Sequence, residues 1–362
     1  MNTTVPRTIH ELDPLADPRW DAYVRGHESG SVYHLGAWAR VLQRAYGFRP
    51  RYLALMEGDS PAGVMPLFRK KGIVSGARLR SIPVFSYGGP LGNDADAETR
   101  LVEAARDLAA DDGEIAGMTI NTGERRIDPP DGFVVEEILP RWIVDLPQDL
   151  DALRAGWRKS SNNLFRSLKK ADGAGLEFRE GTSARDLRSF HRLYVRTMRK
   201  HRSLPRTLRQ LSLARETLGD SFRVFIVGHG GQDLAAGLYH VWGERIELIY
   251  NGSHERGLEL RPNHALYWNV MRWAAAHGVS SVDLGGAYAG TPLAGFKQQW
   301  GASPRARFRL TQRVGGEPTR AESIAAIGYG AEDSDSRIMD AAWRHVPIPV
   351  LRLAAHIAYR YV

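Results

Sequence analysis

The sequence predicts an α/β (α+β) protein of two similar domains, each a mixed sheet flanked by helices. Three observations carry this. The chain has 362 residues, past the roughly 250–300 at which one hydrophobic core stops growing. A series of helix, strand–turn–strand, strand, helix and strand is legible twice. The pairs Ala62-Gly63 and Ala236-Gly237 fall at the same place in the two hairpins, 174 residues apart, a spacing that suits a duplicated domain. The boundaries this gives are 1–150, 151–314, and a tail over 315–362.

In the first half, residues 31–46 place Trp38, Val41, Leu42 and Tyr46 near helical spacing, with Gly47 as a stop. Strands are expected over 51–57 and 62–70 around the turn Gly58-Asp59-Ser60-Pro61, then over 79–86, 118–123 and 141–146. An acidic start marks a helix over 94–110. In the second half, Leu187, Phe190, Leu193, Tyr194 and Met198 give 185–202 an apolar helical face, and a helix fits 206–218. Strands follow over 223–228, 233–243 and 245–253, the first two joined by His229-Gly230-Gly231-Gln232. Asn263 after Pro262 reads as the N-cap of a helix over 264–277 that ends at Gly278. The strand Ser280–Gly286 comes next. Residues 315–337 read as a polar linker. A basic amphipathic helix follows Pro349, able to dock on its own domain or to lie on a membrane, docking being preferred.

Composition narrows the chemistry. There is no cysteine, which excludes a thiolate nucleophile, a disulfide scaffold and Cys-based metal sites. The 12 histidines show no metal spacing, so no metal is expected. No signal-peptide pattern opens the chain and no apolar run approaches 18 residues, so a cytoplasmic address is expected. The net charge of +8 is local: residues 141–215 hold 18 basic and 7 acidic side chains, leaving the remainder slightly acidic. Such a block suits an anionic partner, or is a solvated helical face. Nucleotide-binding and hydrolase fingerprints are absent.

The order of elements over 185–286 resembles the GNAT acyltransferase fold. Tyr250-Asn251-Gly252, Asn263-His264-Ala265-Leu266-Tyr267-Trp268, Asp283-Leu284-Gly285-Gly286 and Gly295-Phe296-Lys297-Gln298-Gln299-Trp300-Gly301 succeed one another as in the Fem aminoacyl transferases and the BioF2-like acetyltransferases. Trp343-Arg344-His345-Val346-Pro347-Ile348-Pro349 is similar to the tail of some of these proteins. The resemblance implies two GNAT-like domains and transfer of an amino acid from aminoacyl-tRNA to an amine of a peptidoglycan precursor. It places the family's Phe-Lys pair on Phe296-Lys297, with the lysine in catalysis or in contact with the acyl-tRNA. Two features depart from it. The coiled-coil arm of some members has no room here. The phosphate loop of acyl-CoA-dependent GNATs is degraded to Arg256-Gly257-Leu258-Glu259-Leu260-Arg261.

Acyl transfer to an amine needs a deprotonated nucleophile, a held carbonyl and a stabilised oxyanion. Lys297, beside a Gly-rich loop, suits the oxyanion or a phosphate. Asp283, at a strand end, suits proton acceptance, orientation of the amine, or a cap on the turn after it. Tyr250 and Asn251 suit contact with acceptor or acyl group, as well as core and turn roles. Backbone N–H groups at Asn263, His264 and Ala265 suit anion binding at a helix N-terminus. Arg158, Lys159, Arg166 and Lys170, partly grouped on one helix side, suit a diphosphate or RNA phosphates.

The expected activity is therefore N-acyl transfer onto an amine of an anionic peptidoglycan or other envelope precursor. The co-substrate would be aminoacyl-tRNA or acyl-CoA, with no tightly bound cofactor. tRNA and a membrane surface are the candidate macromolecular contacts, and DNA is not one. Two alternatives stand beside it. One is an acyl-CoA-dependent acetyltransferase for exopolysaccharide or small-molecule amines. The other is a non-enzymatic anion- or RNA-binding protein on a GNAT scaffold.

Overall fold

A helix pair followed by a hairpin, then a helix leading into a further strand, recurs in the two halves of the chain. The computed structural model describes residues 5–71, 76–83, 85, 87–313 and 346–361. They divide into two units, one holding 5–138, 306–313 and 356–361, the other 139–305 and 346–355.

The first unit opens with β1 (Arg7–Leu12), α1 (Pro18–Gly26) and α2 (Ala37–Tyr46). Then come β2 (Arg49–Pro50), β3 (Tyr52–Glu57), β4 (Ser60–Met65), β5 (Phe68–Lys70), β6 (Ala77–Arg80), β7 (Leu91–Gly92), α3 (Ala95–Asp111) and β8 (Ile115–Gly123). Strands β1, β3, β4 and β7 form a four-stranded sheet in that order. The Asp94 carboxylate caps α3 by accepting from Ala97 N at 2.8 Å. Leu101, Val102, Ala105 and Ala109 of α3 then share a core with Leu53, Leu55, Met118 and Ile120. The strand expected over 62–70 is two strands, because Pro66 between them has no N–H for the ladder. The helix expected over 31–46 is a 3₁₀ turn, Val32–His34, and then α2. The strand expected over 79–86 ends at Arg80.

The second unit carries most of β9 (Phe133–Asp145) and then α4 (Leu150–Ser160), α5 (Asn162–Asp172), β10 (Glu177–Glu180), α6 (Ala184–Lys200) and α7 (Leu208–Leu218). β11 (Phe222–His229), β12 (Gln232–Trp242), β13 (Arg245–Ser253), α8 (Pro262–Ala276), β14 (Ser281–Gly286), α9 (Pro292–Gln299) and β15 (Ser303–Arg313) follow. The strand order here is β10-β11-β12-β13-β14-β9. Neighbours are antiparallel except β13 and β14, which run parallel. In the first unit, β15 pairs antiparallel with β8 through residues 308–313.

Helix α6 is started by a capping box of Ser183 and Asp186. It buries Leu187, Phe190, Leu193, Tyr194 and Met198 and leaves Arg185, Arg188, Arg192 and Arg196 exposed. Much of the basic block is therefore a solvated helix face. On one side of the sheet Gly252 brings β13 against the α6 backbone, where a Cβ would lie 2.3 Å from Tyr194 N. On the other side α8 packs Trp268, Met271 and Ala274 into a core with Phe225, Tyr239 and Leu248.

Helix α10 (Ile348–Tyr361) includes Pro349 in its first turn. It buries Leu351 and Ala355 while Val350, Leu353 and Ile357 are exposed. The linker expected over 315–337 and the stretch Trp343-Arg344-His345 lie outside the described residues. Among the described residues no helix is long and apolar enough to cross a membrane.

Candidate active site

The two parallel strands of the second unit stay paired over only three positions, Arg245↔Ser281, Ile246↔Val282 and Glu247↔Asp283. Past that point both change path. β13 gains an extra residue opposite the step from Leu238 to Tyr239. β14 shifts register against β9 between Asp283 and Gly286, with Gly285 at φ +91°. The result is a fork at the carboxyl ends of parallel strands, where α/β folds place their chemistry.

Three charged side chains meet at this fork. Asp283 is fully buried; it accepts from Gly285 N at 2.7 Å and from Arg141 Nε at 2.6 Å. Arg141 comes from β9 and its Nη2 also donates to Leu248 O at 3.0 Å. Lys297 donates from Nζ to Gly286 O at 2.6 Å. A Cβ on Gly285 would sit 3.5 Å from that nitrogen. Lys297 is 3% exposed. Burial first, and the Arg141 cation second, push its pKa down to about 7, against the opposing pull of Asp283. Near neutral pH this amine therefore exists in both protonation states, able to donate to an oxyanion and to exchange a proton.

The lysine reaches the fork because residues 292–299 are helical. The loop expected around it is α9, with Thr291 as N-cap and Pro292 in its first turn. The glycines at 295 and 301 do not open a loop there; Gly301, at φ +83°, follows the helix end. Phe296 of α9 and Trp300 at its C-cap join His264 and Tyr267 of α8 in one aromatic cluster, ring centroids 5.4 to 6.2 Å apart. Trp157 of α4 extends it against Trp268 and Trp300. Burial lowers the His264 pKa to about 4, with Arg261 adding to the effect. Burial also pushes the Tyr267 hydroxyl up.

The hydrogen bonds that tie Arg141, Asp283 and Lys297 to the fork do not use the remaining sequence candidates. Asn263 is not the N-cap of α8. That place belongs to Arg261 at φ +62°, with Pro262 as the first helical residue. Tyr250 faces α6, its ring 4.9 Å from Tyr194, and its hydroxyl accepts at 3.1 Å from Nε of Arg206 in the link between α6 and α7. Asn251 is half-buried on β13 opposite Gly237. Arg158, Arg166 and Lys170 are exposed and do not share one helix, because Ser161 (φ −149°, ψ 59°) ends α4 before α5 begins. Sequence reasoning missed Arg141 and the Gly285 backbone. The only signal for Arg141 was one arginine opening the strand RWIVDL ahead of three apolar residues.

Residues 158–298 match a family model described as the Acetyltransferase (GNAT) domain. Over 309 residues the chain is 24% identical to a UDP-N-acetylmuramoylpentapeptide-lysine N(6)-alanyltransferase of Weissella viridescens, covering 76% of this chain and 85% of that protein. The crystal structure of FemX superposes with a TM-score of 0.65 at 14% identity, covering 85% of this chain and 97% of that one. L-PGS from Bacillus licheniformis superposes with a TM-score of 0.53 at 14% identity, over 88% and 97%.

Proposed function

Taking the chain as a GNAT-fold acyltransferase of the Fem type, we propose that it moves an aminoacyl group from aminoacyl-tRNA onto an amine of an anionic cell-envelope precursor. The acceptor nitrogen attacks the ester carbonyl, a C–N bond forms, and the C–O bond to the ribose breaks. The proton lost by the nitrogen leaves with the ribose oxygen. Lys297 meets the oxyanion that develops in between, a role that suits a buried amine held on Gly286 O. Phe296, His264 and Tyr267 provide an apolar wall that keeps water from the ester. Asp283, with both oxygens engaged, suits a holding role better than proton acceptance.

One observation favours aminoacyl-tRNA over acyl-CoA as the donor. A diphosphate at a helix N-terminus needs free N–H groups. At α8, Pro262 has none, and the N–H groups of His264 and Ala265 both donate to Arg261 O, at 3.0 and 3.1 Å. Residues Glu255–Leu260 form a 3₁₀ turn, and Gly257 packs where a Cβ would lie 2.8 Å from Leu234. Of the N–H groups on this helix end only that of Asn263 is left, too few to cradle a diphosphate. Exposed Arg158, Lys159, Arg166 and Lys170 suit tRNA phosphates or the precursor's own. The exposed Val350, Leu353 and Ile357 beside Arg352 suit a peripheral contact with the membrane that carries later envelope precursors.

The test is transfer by the purified protein to a UDP-linked muropeptide carrying a free lysine amine. Radiolabelled alanyl-tRNA and acetyl-CoA are offered in parallel. Label moving from the tRNA alone is expected. Label moving from acetyl-CoA alone would overturn the donor assignment, and transfer from neither would overturn the activity.

A further inference from the structure

We propose that Arg141 is a positioning residue for transfer: its guanidinium holds the β13–β14 fork open and, with Asp283, sets where the Lys297 amine sits. The proposal rests on the reading of Lys297 as the group that meets the reacting carbonyl.

The argument begins with the ladder. Parallel pairing ends at Glu247↔Asp283, so Leu248 O is the first β13 carbonyl past the last pair. Left bare, a buried carbonyl gives up its hydrogen bond to water and gains nothing in return. Arg141 Nη2 takes it at 3.0 Å, while Nε takes the Asp283 carboxylate at 2.6 Å. One side chain, entering from β9 on the far side of β14, thus ties both prongs of the fork at a fixed separation. A planar guanidinium can do this; an ammonium on a flexible stem cannot hold two acceptors in one plane.

The same pair governs the neighbouring amine. Asp283 also receives Gly285 N, which fixes the turn that presents Gly286 O to Lys297. The charged groups facing Lys297 are Arg141 from β9 and Asp283 from β14. His264, from α8, is neutral above about pH 5. With Arg141 in place the carboxylate is already neutralised, so Lys297 stays on the carbonyl. Without it, Asp283 is a buried bare anion and Lys297 is the nearest cation to answer it.

The test follows the Lys297 side chain directly. The chain has only seven lysines, so ¹³Cε-lysine spectra of the whole protein are sparse, and the Lys297→Met variant assigns the resonance. Arg141→Leu is expected to raise the titration midpoint of Lys297 by at least one pH unit, a loss of neutral amine of about fivefold or more at pH 7. Arg141→Lys keeps the charge and loses the two-pronged hold. It is expected to leave the midpoint within a few tenths of a pH unit, and to lower kcat at least tenfold with KM changed less than twofold. An unmoved midpoint in Arg141→Leu, or full kcat in Arg141→Lys, would overturn the proposal. Should Arg141→Leu fail to fold, the Asp283→Asn variant replaces it, with the midpoint expected to fall instead; a midpoint that stays put overturns the proposal equally. The titration needs no turnover, so a wild-type protein that transfers nothing would count against the proposed function and not against this placement.

Discussion

Replacing Lys297 with methionine is expected to make the protein more stable and to abolish its activity. The amine is 3% exposed and its pKa falls from an ordinary 10.5 to about 7. At about 1.4 kcal/mol per pH unit, burial of this group costs on the order of 4–5 kcal/mol near neutral pH. Methionine fills a similar volume without charge. It forfeits the bond to Gly286 O, worth about 1–2 kcal/mol, so a net gain of about 2–4 kcal/mol is expected. The pH dependence fixes the cause. The folded pKa lies below the unfolded one, so between pH 7 and 10.5 the unfolded chain binds the extra proton. Wild-type stability therefore rises with pH across that window, and the variant lacks this rise. Urea unfolding at pH 6, 8 and 10 should show a gap that is widest at pH 6 and nearly closed at pH 10. Transfer should fall at least a hundredfold at every pH. Equal stability at pH 6, or a gap that does not narrow, would refute the reasoning.

Three further outcomes are expected. Gly252→Ala places a Cβ 2.3 Å from Tyr194 N and 2.4 Å from Leu193 C; both obstacles are backbone, so urea unfolding should report a loss of about 2–4 kcal/mol. Gly285→Ala forces a side chain into φ +91° beside Lys297 Nζ; a loss of roughly 1–2 kcal/mol is expected, with a larger proportional fall in kcat than in stability. Reversing Arg158, Arg166 and Lys170 to glutamate changes only exposed positions, so melting should be unaffected, while the slope of log affinity for tRNA against log salt should shrink by about 3. An unchanged slope would remove these residues from the RNA contact.

What the sequence made legible follows from how local each signal is. β13 has the predicted bounds because alternation and turn residues are local. The His229–Gln232 turn holds because Gly230 and Gly231 take φ +54° and +76°. Lys297 stood out by its motif, but its burial and its helix did not, since Gly295 and Gly301 read as loop residues. Arg141 was invisible for a deeper reason. Its meaning comes from Asp283, 142 positions away, and from a missing ladder bond at Leu248. No periodicity or spacing rule reaches that far. The Asn263 cap failed because Pro262 can open a helix itself, which moves the start two residues earlier and puts the strain on Arg261.

The distance between Arg141 and Asp283 also bears on how the protein is made. At about 5–20 residues per second, β14 leaves the ribosome roughly 7–30 seconds after β9. For that interval the edge of β9 that will receive β14 is exposed to any strand that passes. Glu136, Glu137 and Pro140, features that discourage strand pairing, stand just before Arg141–Asp145, the stretch that pairs with β14. The same proline later accepts Ala287 N through its carbonyl. A nascent chain that stops before Ser281 can hold the β10–β13 meander and yet have no fork. The fork, and Lys297 that follows it in the chain, are thus completed only late in synthesis.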